Sequence, residues 1–137
     1  MKTLLGYTLV AGLVAACIAA GMAGAKEPGD GDKPNLGRVR HVVLFSFKDT
    51  ATPEQIKGVE DAFRALPSKI PQIADFEWGT NMSPEKLDQG FTHCFFLTFK
   101  TAADRDAYLP HPDHKAFGKV LRPILDKVLV VDYVAKE

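Results

Sequence analysis

The chain has 137 residues, 46% of them hydrophobic and 25% charged, with 17 lysines and arginines against 17 aspartates and glutamates. This length accommodates one domain and leaves no room for two. The balanced charge supplies no field to recruit nucleic acid or an anionic membrane surface, so neither is an expected partner.

The first 25 residues read as separate from the fold. Lys2 gives a positive start, Leu4 to Ala20 is apolar except for Tyr7 and Thr8, and Ala23-Gly24-Ala25 offers small residues ahead of a charged stretch. That is the pattern of a signal peptide cleaved after Ala25. Four glycines between Gly6 and Gly24 weaken the alternative of a spanning helix. A second processing route starts from Val14-Ala15-Ala16-Cys17, which resembles a bacterial lipobox with Cys17 as the lipidated anchor. Both routes place the mature protein outside the cytoplasm, secreted or periplasmic, with no membrane contact unless Cys17 is lipidated. Loss or lipidation of Cys17 leaves Cys94 as the only thiol, so no intramolecular disulfide is expected and Cys94 reads as a buried, inert residue.

Residues 26–37 carry three glycines, two prolines and several charges without apolar periodicity, which makes a flexible tether. The folded unit is expected over residues 38–137. Val39 to Phe47 is β-branched and aromatic and predicts a strand. Thr52-Pro53-Glu54-Gln55 is a helix start, with threonine as cap, proline first and glutamine three after the cap. Ile56, Val59, Phe63 and Leu66 then share one face until Pro67 stops the helix. Ile73 to Gly79 predicts a second strand, Phe91 to Phe99 a third and Val128 to Val134 a fourth. Between the last two, Thr101 caps a short helix through Leu109, Pro110 and Pro112 interrupt it, and Asp113 caps another running to about Asp126.

The order β-α-β-β-α-β predicts an α+β, ferredoxin-like fold: a four-stranded antiparallel sheet with helices on one face. The strands carry a second message. Val42-Val43-Leu44-Phe45, Cys94-Phe95-Phe96-Leu97 and Val128-Leu129-Val130-Val131 are apolar on both faces, and helices cover only one. The other would expose a larger apolar patch than soluble monomers tolerate. A second copy, sheet against sheet, is the simplest cover and predicts a homodimer closing a dimeric α/β barrel.

Several stretches carry a family resemblance. Arg40-His41-Val42-Val43-Leu44-Phe45-Ser46-Phe47-Lys48 resembles the opening strand of the stress-responsive A/B barrel (Dabb) family. Trp78-Gly79, Gly90-Phe91-Thr92-His93, Tyr108-Leu109-Pro110-His111-Pro112-Asp113-His114 and Asp132-Tyr133 resemble its later landmarks. The resemblance runs from Arg38 to Lys136 and implies a dimeric barrel with an internal cavity. It does not imply one reaction, because fold alone does not give function. One plant member closes a polyketide chain by intramolecular aldol condensation, using two histidines and two tyrosines. Three of these four groups fall on His41, Tyr108 and His114, and the remaining tyrosine falls on Phe63.

His114 is the sharpest catalytic candidate. It lies at a helix start, where the dipole disfavours a charged imidazolium, and a neutral imidazole accepts a proton from a carbon acid or phenol. Tyr108 can hydrogen-bond a substrate oxygen, and His41 enters through the resemblance. The structural alternative is a His114 that only packs the turn beside a core Tyr108. His93 reads as a satisfied strand histidine. His111 and His114 alone are too few ligands for zinc, so no metal is expected. No nucleotide, haem or phosphate motif appears, so no cofactor is expected either. Phe63, Trp78 and Phe95 are candidate ligand-binding aromatics, with a place in the core as their alternative. These features point to an exported dimer binding a small apolar or aromatic molecule in the barrel lumen. The alternatives are a cofactor-independent lyase or cyclase with His114 as general base, a monooxygenase-like enzyme, and a structural protein with a filled cavity.

Overall fold

The alternation of the first strand sets the architecture. In β1 (Val39–Phe47), Val39, His41, Val43 and Phe45 are buried, while Arg40, Val42 and Leu44 between them are only half-buried. The computed structural model describes residues 36–136, so the expected leader, Cys17 and the tether up to residue 35 lie outside the described residues. After β1 come α1 (Pro53–Arg64), α2 (Leu66–Lys69), β2 (Ile73–Thr80), β3 (His93–Phe99), α3 (Ala102–Tyr108), α4 (Pro112–Leu121) and β4 (Leu125–Val134). The strands form one antiparallel sheet in the order β2-β3-β1-β4, the ferredoxin-like arrangement.

Local chemistry explains the helix ends. Thr52 and Gln55 form a reciprocal capping box at α1, and Thr101 and Asp104 form another at α3. Pro67 does not stop the first helix as its position in the sequence implies. Helix α1 ends at Arg64, and Pro67 lies in the first turn of α2, where a missing N–H costs nothing. His111, not Asp113, caps α4: its Nδ1 accepts the Asp113 N–H at 3.2 Å. Pro112 is preset for the first helical position, which pushes Asp113 into the first turn. Helix α4 then stops at Leu121, short of Asp126, because Pro123 cannot donate to the ladder and disfavours helix just before it. Strand β4 accordingly begins at Leu125.

The helices cover one face of the sheet over an aromatic layer. Phe63 of α1 stacks on Phe95 of β3 with centroids 4.2 Å apart, and Phe117 of α4 meets Phe63 edge-on at 4.7 Å. This cover stops short of β4. Val43 and Phe45 are 5% and 2% exposed, whereas their β4 register partners Val130 and Val128 are 49% and 50% exposed.

Among the described residues no helix covers the opposite face of the sheet. Val42, Leu44, Cys94 and Phe96 lie half-buried there, and Leu129, Val131 and Tyr133 are exposed. Cys94 is therefore on the open face rather than in the core, free, with its thiol pushed up by burial and by the charge of Glu77. Arg40 spans part of this face, its guanidinium 5.5 Å from the Phe96 ring centre and bonded to Thr98.

Candidate functional site

Where the helix layer falls short of β4, a cavity of about 430 Å³ opens between the sheet and helices α3 and α4. Its walls are mostly apolar, with Val43, Phe63, Phe117, Val128 and Val130 among them. Besides Lys115 and Arg122, its polar groups come from four elements: His41 from β1, Tyr108 from the end of α3, His114 from the first turn of α4 and Asp132 from β4. The three catalytic candidates thus meet, but on the helix-covered face within one chain. A lumen closed by a second copy, the place expected from the sequence, would be lined by the other face. The reason is parity: His41 shares its pleat with Val43 and Phe45, which point into the core.

His114 is held by its backbone surroundings. Its Nδ1 donates to the Leu109 carbonyl at 2.9 Å, which fixes the tautomer. In the neutral ring the lone pair is then on Nε2, available as a proton acceptor. The Tyr108 ring lies against it, with centroids 4.3 Å apart. Burial alone pushes the Tyr108 phenol well above its ordinary range, so it stays protonated and can donate a hydrogen bond.

His41 belongs to a second chain of contacts. Its Nδ1 donates to Asp132 Oδ1 at 2.6 Å, and Arg105 of α3 holds the other Asp132 oxygen. Burial lowers the His41 pKa and outweighs the Asp132 hydrogen bond and charge that raise it. The imidazole is therefore neutral near pH 7, with Nε2 as an acceptor. Its ring lies 5.7 Å from that of Tyr108, edge to face. The four polar groups make a site able to accept a proton at one imidazole and to hydrogen-bond a developing oxyanion at the phenol.

Of the candidate aromatics, only Phe63 lines this cavity. Phe95 is fully buried behind Phe63, and Trp78 stacks on the far side of Phe95 at 5.6 Å. His93 is tied at both nitrogens, to Thr92 Oγ1 at 2.8 Å and to Glu60 Oε1 at 3.1 Å. His111 serves as the α4 cap, which separates its role from that of His114. Asp132 and Arg105 have no place among the sequence candidates. An aspartate interrupting the valine-rich Val128–Val134 run is a signal for the first. For Arg105 no local spacing exists, because its partner is 27 residues away.

The pattern of the stress-responsive A/B barrel domain family matches residues 39–135. The stress-response A/B barrel domain-containing protein HS1 of Arabidopsis thaliana is 41% identical over 97 residues, which is 71% of this chain and 89% of the relative. Olivetolic acid cyclase of Cannabis sativa is 30% identical over 99 residues, 72% of this chain and 98% of the cyclase. Among solved structures, hydroxynitrile lyase from Passiflora edulis superposes with a TM-score of 0.70 at 29% identity, over 76% of this chain and 97% of the lyase. A dimeric protein of ferredoxin-like fold from Bacteroides fragilis has a TM-score of 0.60 at 33% identity, over 72% of this chain and 97% of its own. On this evidence the chain belongs to the stress-responsive A/B barrel domain family.

Proposed function

We propose that the protein binds a small apolar or aromatic molecule in the cavity between its sheet and helices α3 and α4. The observation that carries this reading is the cavity: about 430 Å³, apolar-walled, with a few convergent polar groups. That size and composition are typical of small-molecule sites. Calorimetric titration with 2-naphthol tests it. The expected result is saturable binding of one molecule per chain, lost in Val130→Trp, which fills the cavity from its exposed edge. Absence of binding by the parent protein, or unchanged binding by the variant, overturns the reading.

A second reading is favoured by the hydrogen bond from His114 Nδ1 to the Leu109 carbonyl. With Nε2 free, His114 acts as general base on a carbonyl compound in a cofactor-independent lyase or cyclase reaction. Nε2 takes the proton from the carbon beside the carbonyl. The electron pair of that C–H bond moves toward the carbonyl oxygen, which the Tyr108 hydroxyl stabilises as a donor. His41 orients the bound molecule through its own Nε2. The cyclase and lyase among the relatives support chemistry of this type.

The open sheet face pairs with a second copy, so the working unit is a homodimer. The exposed Leu129, Val131 and Tyr133 and the dimeric relatives support this assembly. The leader pattern of residues 1–25 supports export, with cleavage after Ala25 and lipidation at Cys17 as the alternative. Mass spectrometry of the mature N-terminus separates the two, one giving Lys26 and the other a lipidated Cys17.

A further inference from the structure

The cavity has a charged mouth that neither the family fold nor the imidazole chemistry requires. Lys115 and Arg122, both exposed residues on or just beyond α4, line it together with Gly118. Residues at positions 115, 118 and 122 rise one above another along a single helix face. Gly118 leaves that face flat, and the Arg122 side chain lies beside it: a β-carbon at Gly118 would sit 3.7 Å from Arg122 Nη1. The two cations therefore flank one entrance.

No carboxylate among the described residues cancels their charge. Among the described residues neither Lys115 nor Arg122 has a carboxylate within salt-bridge distance. Among the described residues Asp132 is the one acidic side chain in the cavity wall, and His41 and Arg105 already hold its two oxygens. Asp113 lines a separate surface hollow with Lys69, a hollow that neither Lys115 nor Arg122 lines. The entrance thus combines uncompensated positive charge with an apolar, aromatic interior.

We infer that the ligand is an amphipathic carboxylate: an aromatic or aliphatic body inside the cavity and an acid group at the mouth between Lys115 and Arg122. This rests on the cavity being the binding site, as proposed above, and adds the class of molecule it takes. A carboxylate at the mouth accepts charge-assisted hydrogen bonds from both side chains while remaining partly hydrated, so its desolvation cost is small. A neutral ligand of the same shape gains only the apolar contacts.

The test compares 2-naphthoate with 2-naphthamide, which matches it in shape and lacks the charge, by calorimetric titration at pH 7.5. The expected result is binding of 2-naphthoate at least tenfold tighter in low salt. That preference should shrink as sodium chloride is raised and vanish in the Lys115→Gln/Arg122→Gln double variant. Both substituted residues are exposed, and circular dichroism verifies that the variant keeps its fold. Equal affinity for the two probes overturns the carboxylate assignment and leaves the cavity reading standing. A preference that survives in the double variant overturns the role of the two cations. Failure of both probes to bind the parent protein removes the cavity reading, and this inference with it.

Discussion

His41 and Asp132 stand in register on neighbouring strands, and the imidazole Nδ1–H donates to the carboxylate at 2.6 Å. This contact fixes the tautomer of a buried histidine and leaves its other nitrogen, Nε2, as the acceptor. It also couples the site to stability. Burial holds the folded His41 pKa below its ordinary 6.5, so the unfolded chain takes up a proton that the folded chain refuses. The stability that neutral His41 permits is fully present above about pH 6.5 and declines as pH falls below it. Thermal melts between pH 7.5 and 5.5 should show this decline, and His41→Gln should flatten it. Asp132→Asn removes the influences that raise the pKa, so its decline should be steeper than that of the parent.

His114 is placed for proton transfer by the Leu109 carbonyl. Exchange of the α-protons of benzoylacetone with deuterated solvent, followed by proton NMR, reads that step directly. The parent protein should accelerate exchange, and His114→Gln should lose about 10²- to 10⁴-fold of the acceleration. Tyr108→Phe should slow exchange as well, since its phenol is the proposed donor to the developing oxyanion. Exchange at the parent rate in His114→Gln would remove the general-base assignment.

Phe63 joins the cavity to the core, stacked on Phe95 at 4.2 Å and on Phe76 at 5.6 Å. Phe63→Ala should destabilise the fold by about 3–5 kcal/mol, the usual cost of deleting a buried aromatic ring. Urea denaturation measures this through the midpoint. A loss under about 1 kcal/mol would mean that the aromatic layer collapses to fill the gap.

Val131 lies on the open sheet face beside Val42 and is exposed in the single chain. Val131→Glu places a charge in the middle of the proposed sheet-to-sheet contact. Light scattering should find a dimer for the parent and a monomer for the variant. A variant that stays dimeric would locate the contact elsewhere.

The fold was legible because its signals are local. Thr52 with Gln55 and Thr101 are cap residues readable from neighbouring positions, and the two-faced apolar strands announce a sheet that needs cover on both sides. Element ends were less so, where Pro67, Pro112 and Pro123 each start or stop a helix according to the turn they fall in. The site was legible in part. His41, Tyr108 and His114 meet, but the face they share depends on the pleat of β1, where a one-residue change of parity moves every side chain to the other side. Asp132 shows in the sequence only as an aspartate within a valine-rich run, and Arg105 not at all, because the contacts that give them a role form only once β4 lies beside β1 and α3 brings Arg105 to Asp132. Trp78 and Phe95 look like ligand aromatics by composition, and only three-dimensional stacking shows that Phe63 stands between Phe95 and the cavity.

In the proposed binding mode the helix-covered face of a single chain, and not the sheet-to-sheet face, takes the ligand. Intermolecular nuclear Overhauser effects between bound 2-naphthoate and assigned side chains test it most directly. Contacts to Tyr108, His114 and Phe117, with none to Val42 or Phe96, are the predicted result. Contacts to Val42, Phe96 and Val131 in place of these would contradict it and put the binding site in the barrel lumen.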